Sequence, residues 1–192
     1  GFPASYPQIN KKCGREYFMT IKLTWNMQNK FPYKTFIWKG IDGSEVISHM
    51  APQGNYNSTA TPMAIVKSDM GNPQEKEIGK ALLVYGIGDG GGGPGEAPLE
   101  LLDRQTDCKG LDKVVRRHAV EFFEDLEKEY SQVIPKYEGE LYLEKHQGTY
   151  TSQSNSKKYN RLLERSLHNL EWLMAMAKAQ GEECDYSELE NI

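Results

Sequence analysis

The stretch Leu82-Leu83-Val84-Tyr85-Gly86-Ile87-Gly88-Asp89-Gly90-Gly91-Gly92-Gly93-Pro94-Gly95 decides how the rest of the chain is read. Four apolar residues run directly into a loop of seven glycines and one acid. A short apolar run bounded by glycines reads as a buried strand, here over residues 80–85. The glycines beyond it suit neither helix nor strand, because each costs backbone entropy and brings no side chain to pack. Asp89 is therefore expected at the carboxyl end of a buried strand, in a loop whose backbone a ligand can approach. In parallel α/β folds that is where chemistry is done. The competing reading is a flexible glycine linker, although a linker rarely follows an apolar strand so closely.

Upstream, residues 5–13 suit a short helix, with Pro7 in its first turn, Lys11 and Lys12 in its last and Gly14 as its cap. Residues 17–21 read as a strand that delivers Lys22, Trp25 and Asn26 to its carboxyl end. A second strand over 35–38, a tight turn at Ile41-Asp42-Gly43 and a third strand over 45–50 make a hairpin. A polar loop over 51–61 leads into a helix over 63–69. Downstream, a helix over 98–106, a strand over 113–116 and an amphipathic helix over 119–132 alternate, which suggests βα units in a parallel sheet. The organisation changes at Pro135, giving a division into 1–135 and 136–192. Residues 139–146 alternate like a strand. A long helix then carries Tyr159, Leu162, Leu163, Leu167, Leu170, Leu173, Met174 and Ala177 at spacings of three and four. Ser152 or Ser154 can cap its start and Gly181 its end. One such helix cannot bury its stripe alone and asks for bundle partners.

Composition narrows the function. With 192 residues, 38% hydrophobic, the chain is long enough for one globular core, and no apolar run is long enough to span a membrane. The net charge of −4 argues against nucleic acid as a partner. Cys13, Cys108 and Cys184 are odd in number and form no CxxC, which favours reduced thiols and a cytoplasmic setting. No signal-peptide pattern opens the chain, and Gly1-Phe2-Pro3 reads as the middle of a longer sequence. Gly86-Ile87-Gly88-Asp89-Gly90-Gly91 matches GxGxxG, the dinucleotide fingerprint. Against it, glycines continue where the pyrophosphate-binding helix should begin, and no second strand ends in an acid at the required distance. A P-loop fails because no Gly-Lys-Ser/Thr comes after it. His49, His118, His146 and His168 show no metal-ligand spacing. His118 and His168 read as ordinary residues, whereas His49 and His146 lie beside blocks that carry a resemblance.

Five blocks carry it. They are Tyr17-Phe18-Met19-Thr20-Ile21-Lys22-Leu23-Thr24-Trp25-Asn26, then Lys30-Phe31-Pro32-Tyr33, and then Gly40-Ile41-Asp42-Gly43-Ser44 with His49. The glycine loop from Gly86 to Pro94 is the fourth. Gly139-Glu140-Leu141-Tyr142-Leu143-Glu144 with Gly148-Thr149-Tyr150-Thr151-Ser152-Gln153 is the last. In this order and at roughly this spacing they resemble the cytosolic-type branch of the family 38 glycoside hydrolases, the class II α-mannosidases. The resemblance runs from Gly1 to about Gly181.

The resemblance implies an α/β fold: the C-terminal part of a seven-stranded-type α/β barrel, followed by the first long helix of a helical bundle. It implies hydrolysis of terminal α-D-mannose from oligosaccharides with retention, through two carboxylates and a covalent mannosyl-enzyme. Retention places the two carboxyl groups about 5 Å apart. Asp89 then stands as the acid/base, with binding of a sugar hydroxyl as its alternative role. Lys22, Trp25, Asp42, His49 and Tyr150 stand as residues lining the substrate. Without the family, Trp25 reads as a packed aromatic and Asp42 as an Asp-Gly turn. Zinc or another divalent metal is implied for the parent enzyme. The family's His-x-Asp metal pair and the nucleophile of its Asp-x-Phe-Gly turn would precede Gly1, and its last ligand, a histidine, would come after Ile192. No metal ligand is thus expected inside this chain, no tight zinc binding, and no activity from the chain alone. Gly95-Glu96-Ala97-Pro98 departs from the family's Thr-led helix start. An α-mannoside or oligosaccharide is the expected partner, with no nucleic acid and no membrane, and a homo-oligomeric parent is left open. A rival of another class is a non-catalytic carbohydrate-binding or scaffolding remnant.

Overall fold

A computed structural model describes residues 1–150, 152–183, 185 and 187, with the side chains of residues 149 and 150 outside that description. It divides into two units, Gly1–Lys145 and His146–Ile192. The first holds α1 (Tyr6–Lys12), β1 (Tyr17–Thr20), β2 (Thr35–Lys39), β3 (Glu45–Met50), α2 (Pro62–Met70), α3 (Glu75–Ile78), α4 (Glu96–Arg104), α5 (Ala119–Tyr130) and β4 (Lys136–Glu138). The second holds α6 (Ser154–Ala179). Among the described residues, no helix is long and apolar enough to cross a membrane.

The four strands form one mixed sheet in the order β1-β3-β2-β4. β1 runs parallel to β3, β3 antiparallel to β2, and β2 parallel to β4. Side chains alternate across a strand, so one sequence can feed two cores. On one face Phe18, Phe36, Trp38, Val46 and Met50 pack with Leu23 and Leu141, and Phe2 and Tyr6 close over them. On the other, Tyr17, Met19, Ile37 and Ile47 meet Phe122, Phe123 and Leu126 of α5 and Ile78 of α3. The sheet is therefore buried on both faces.

The expected hairpin forms, with Lys39 opposite Glu45, and α1, β1, α2, α4 and α5 lie where their patterns place them. Three expected strands do not form. Residues 80–85 are coil, with one β-bridge, between Tyr85 and Ser58. The apolar run signalled burial, not pairing: Leu82 packs into the α5-side core, while its N–H donates to a side chain at 3.2 Å. Residues 113–116 are also coil, with Val115 exposed and Arg116 paired to Asp103. Residues 139–146 make only one bridge, Leu141 to Phe2, and the strand there is β4, just upstream. The parallel βα succession expected after Lys80 is absent among the described residues. Lys136–Glu138 pairs with β2, so the first unit extends past Pro135.

α6 starts from Gln153 at φ 49, without a capping bond from a serine. Ser152 instead donates its hydroxyl to the carbonyl of Gly148 at 2.7 Å. The far end matches expectation. Gly181 takes φ 92 and donates to Lys178, and Glu182 donates to Ala177, the paired bonds of a Schellman motif. Leu162, Leu163, Leu170, Leu173 and Met176 remain exposed along the helix. Cys184 and the side chain of Tyr150 lie outside the described residues.

His49 sits at the centre of the α5-side core. It is 1% exposed, and its ring lies 4.8 Å from Phe122. Nε2 accepts the Leu82 N–H at 3.2 Å, so the neutral ring carries its proton on Nδ1, 2.9 Å from the Thr35 hydroxyl. Burial, with a smaller contribution from the Lys34 charge, pushes its pKa down to about 3. A histidine whose folded pKa lies below its unfolded value of about 6.5 contributes stability that is present above pH 6.5 and lost as pH falls toward 3. We expect urea unfolding of the chain to lose roughly 1–2 kcal/mol between pH 6.5 and 5, before the carboxylates titrate. A His49→Gln variant should be less stable at pH 7 and should lack that slope, as read from unfolding midpoints at the two pH values.

Candidate active site

Because β1 and β3 are parallel and Thr20 stands opposite Met50, both strands end at the same edge of the sheet. The segments leaving the two strands meet at that edge. After β1 the chain turns through a 3₁₀ helix, Lys22–Trp25, closed by Thr24, whose N–H and hydroxyl both donate to the Ile21 carbonyl. After β3 the polar loop brings Tyr56 back over β1: the Ile21 N–H donates to the Tyr56 hydroxyl at 3.0 Å, and Thr20 Oγ1 lies 3.4 Å from it. Lys22 Nζ lies 4.0 Å from the Trp25 ring centroid and 5.7 Å from that of Tyr56. Such cation–π contacts hold a cation with about 0.5–1 kcal/mol where solvent reaches it. The lysine is thereby presented on two aromatic walls.

The same loop anchors the glycine segment. Ser58 N–H donates to the Val84 carbonyl at 3.0 Å, and Gly88 N–H donates to Asn57 Oδ1 at 2.6 Å. The loop closes on itself through the Ile87 N–H and the Gly92 carbonyl at 3.3 Å. Asp89 is exposed at its tip with φ 52, a left-handed conformation that Asp tolerates better than most residues. One sheet edge thus carries a cation, two aromatic rings and, on the loop tethered beside them, a carboxylate. The far side of the 3₁₀ turn is fixed as well. Glu144 accepts from the backbone of Met27, Gln28 and Asn29 at 2.6, 3.1 and 2.6 Å, bonds that hold its carboxyl below the usual range. Asn26 donates to the Tyr142 carbonyl at 2.9 Å and accepts the Glu144 N–H at 3.0 Å.

Of the residues expected to line a site, Lys22 and Trp25 come together, with the Asp89 loop tethered to the same edge. Asp42 and His49 do not join them. Asp42 sits in the β2–β3 turn, at the opposite edge, where its carboxylate accepts the Ser44 N–H at 2.9 Å and the Ser44 hydroxyl at 3.0 Å. Those bonds lower its pKa and account for it as a turn residue. His49 is enclosed in the core on the α5 side of the sheet. Tyr56 and Asn57 were not visible in advance. Their one signal was an aromatic residue in a polar loop directly after a strand's carboxyl end.

A cleft of about 510 Å³ lies elsewhere, lined by Ile65, Leu82, Leu83, Val114 and Phe122. None of Lys22, Trp25, Tyr56 or Asp89 lines it. Its cations are engaged: Lys80 with Glu129 at 2.7 Å, and Arg117 with Asp125 at 2.6 Å. Among the described residues no three His, Cys, Asp or Glu side chains are grouped to hold a metal ion.

Residues 1–140 match the family model described as the glycosyl hydrolases family 38 N-terminal domain, and residues 144–192 match the alpha mannosidase middle domain. Alpha-mannosidase G of Dictyostelium discoideum is 45% identical over 173 residues, 90% of this chain and 16% of that protein. Alpha-mannosidase 2C1 of Homo sapiens is 38% identical over 181 residues, 94% of this chain and 17% of that protein. The alpha-mannosidase of Saccharomyces cerevisiae is 39% identical over 183 residues, 91% of this chain and 17% of that protein. The chain therefore spans only 16–17% of the length of these curated relatives. With a family model spanning residues 1–140 and relatives at this level of identity, the chain belongs to the glycosyl hydrolases family 38.

Proposed function

We propose that this chain supplies one wall of the active site of a retaining α-mannosidase, within the C-terminal part of a barrel-type catalytic domain. The observation that carries the reading is the meeting of Lys22, Trp25 and Tyr56 with the tethered Asp89 loop at one sheet edge, in a chain of this family. Lys22 donates hydrogen bonds to sugar oxygens. Trp25 and Tyr56 hold that ammonium in place and give the apolar side of a pyranose ring a flat surface. Asp89 protonates the departing glycosidic oxygen and then takes a proton from the incoming water, as the acid/base of a retaining glycosidase does. The bare glycines around it leave room for a leaving group against the backbone. The nucleophile and the metal are contributed by segments other than these residues, and no step here runs through a metal.

In an enzyme that carries this chain with the family's remaining segments, Asp89→Asn is expected to spare activated substrates. General acid help is worth about 10²–10⁴-fold, and a leaving group that departs unaided needs little of it. Turnover of mannobiose should fall by about that factor while glycosylation by 2,4-dinitrophenyl α-mannoside changes far less. Equal losses on both would make Asp89 a sugar-binding group instead.

The 192-residue chain expressed by itself is expected to turn over no aryl α-mannoside above a mock preparation, since a double displacement needs a nucleophile and this reading assigns that role to a segment other than these residues. Isothermal titration of the reduced, desalted chain with zinc should likewise show no one-to-one event of micromolar affinity or better. Preorganised ligands are what make such sites tight.

A further inference from the structure

The loop that carries Asp89 has almost nothing to hold it. Glycines flank the acid on both sides, and Asp89 itself stands in the left-handed region. An acid/base must nevertheless be held close to its proton's destination, because a misplacement of 1 Å costs about 10²-fold in rate. The bond from the residue directly before the acid supplies that hold. Gly88 N–H donates to Asn57 Oδ1 at 2.6 Å. Asn57 is itself set by an Asx turn, its N–H donating to Asn55 Oδ1 at 2.9 Å. On one side of it Tyr56 is bonded to the end of β1, and on the other Ser58 is bonded to Val84. The anchor is thus part of the edge that presents Lys22 and Trp25. The fit is close from the loop side too: a Cβ on Gly88 would collide with Asn57 Oδ1, so the contact requires glycine there.

We propose that Asn57 is a positioning residue for Asp89, whose amide oxygen sets the pose of the acid/base through the Gly88 N–H. This rests on the reading of Asp89 as the acid/base. An amide suits the task because its oxygen accepts the Gly88 N–H without bringing a charge of its own. Asn57 lies exposed on a loop, so its removal leaves both cores untouched.

The test compares kcat and KM for mannobiose and for 2,4-dinitrophenyl α-mannoside in an enzyme carrying this chain with the family's remaining segments. Asn57→Ala should lower kcat on mannobiose by about 10–100-fold, with KM changed much less, and should barely affect kcat/KM of the activated substrate, which reports the glycosylation step alone. Asn57→Asp, which keeps the acceptor, should recover most of that loss. Gly88→Ala should reproduce the loss in the parent but add little on top of Asn57→Ala, because the atom it collides with is gone. An unchanged melting temperature for Asn57→Ala checks that the fold is intact, and the Gly88→Ala pair reads the same contact if that variant is unstable. Unchanged kcat in Asn57→Ala, equal losses on both substrates, or fully additive losses in the double variant would overturn the proposal. Asp89→Asn run alongside separates the two ideas. If it shows the leaving-group split and Asn57→Ala does not, only the positioning role falls. If Asp89→Asn shows no split, the acid/base reading falls and the positioning role with it.

Discussion

A neutral imidazole holds the first unit to its functional loop. His49 reaches from β3 to the Thr35 hydroxyl of β2 through one nitrogen and to the Leu82 backbone through the other. Leu82 lies in the coil that runs to Tyr85, where the bridge to Ser58 begins the tether of the glycine loop. Without the bond to Nε2, the Leu82 N–H loses its acceptor where its side chain enters the α5-side core. A charged ring could not serve, since both its nitrogens would donate and the Leu82 N–H would face a second donor. The constraint therefore fixes a protonation state as well as a position, and burial against Phe122 enforces it.

Much of the fold was legible because β1 is rich in aromatic and β-branched residues and β3 alternates, both ordinary marks of a strand. Phe36 and Trp38 face one core while Thr35 and Ile37 face the other, and the Asp-Gly turn between β2 and β3 is a local signal that needs no tertiary help. The failures share one cause. The runs at 80–85 and 113–116 are short and apolar enough to read as strands, yet apolar content reports burial and says nothing of a backbone partner. Each instead spends its backbone on scattered bonds, such as Val114 N–H to the Thr106 carbonyl. The cap of α6 was misplaced for a similar reason: Ser152 had another acceptor within reach in Gly148.

The candidate site was half legible. Lys22 and Trp25 come directly after a recognisable strand, and Asp89 stands alone among glycines, so all three could be named from the sequence. Which residues share an edge depends on strand direction, which no local pattern encodes. β1 parallel to β3 puts Lys22 and the Tyr56 loop together, while the antiparallel hairpin sends Asp42 to the other end. Tyr56 and Asn57 sit in a loop without periodicity, where their roles arise only from distant partners in β1 and the glycine loop.

The pinning of Asn26 and residues 27–29 by Glu144 bears on how this chain acquires its shape. Phe2 bridges Leu141, the Trp38 indole donates to the Gly139 carbonyl, and β2 takes β4 as its neighbour. In each case an early segment waits for one made more than a hundred residues later on the ribosome, except that β4 trails β2 by slightly less. Contacts so far apart in sequence delay folding, since the intervening chain must be closed before they reward it. The aromatic core around Trp38 and the turn bearing Lys22 therefore stay unfinished while the residues between them and Gly139 are being made. They close together, when the segment ending at Glu144 arrives.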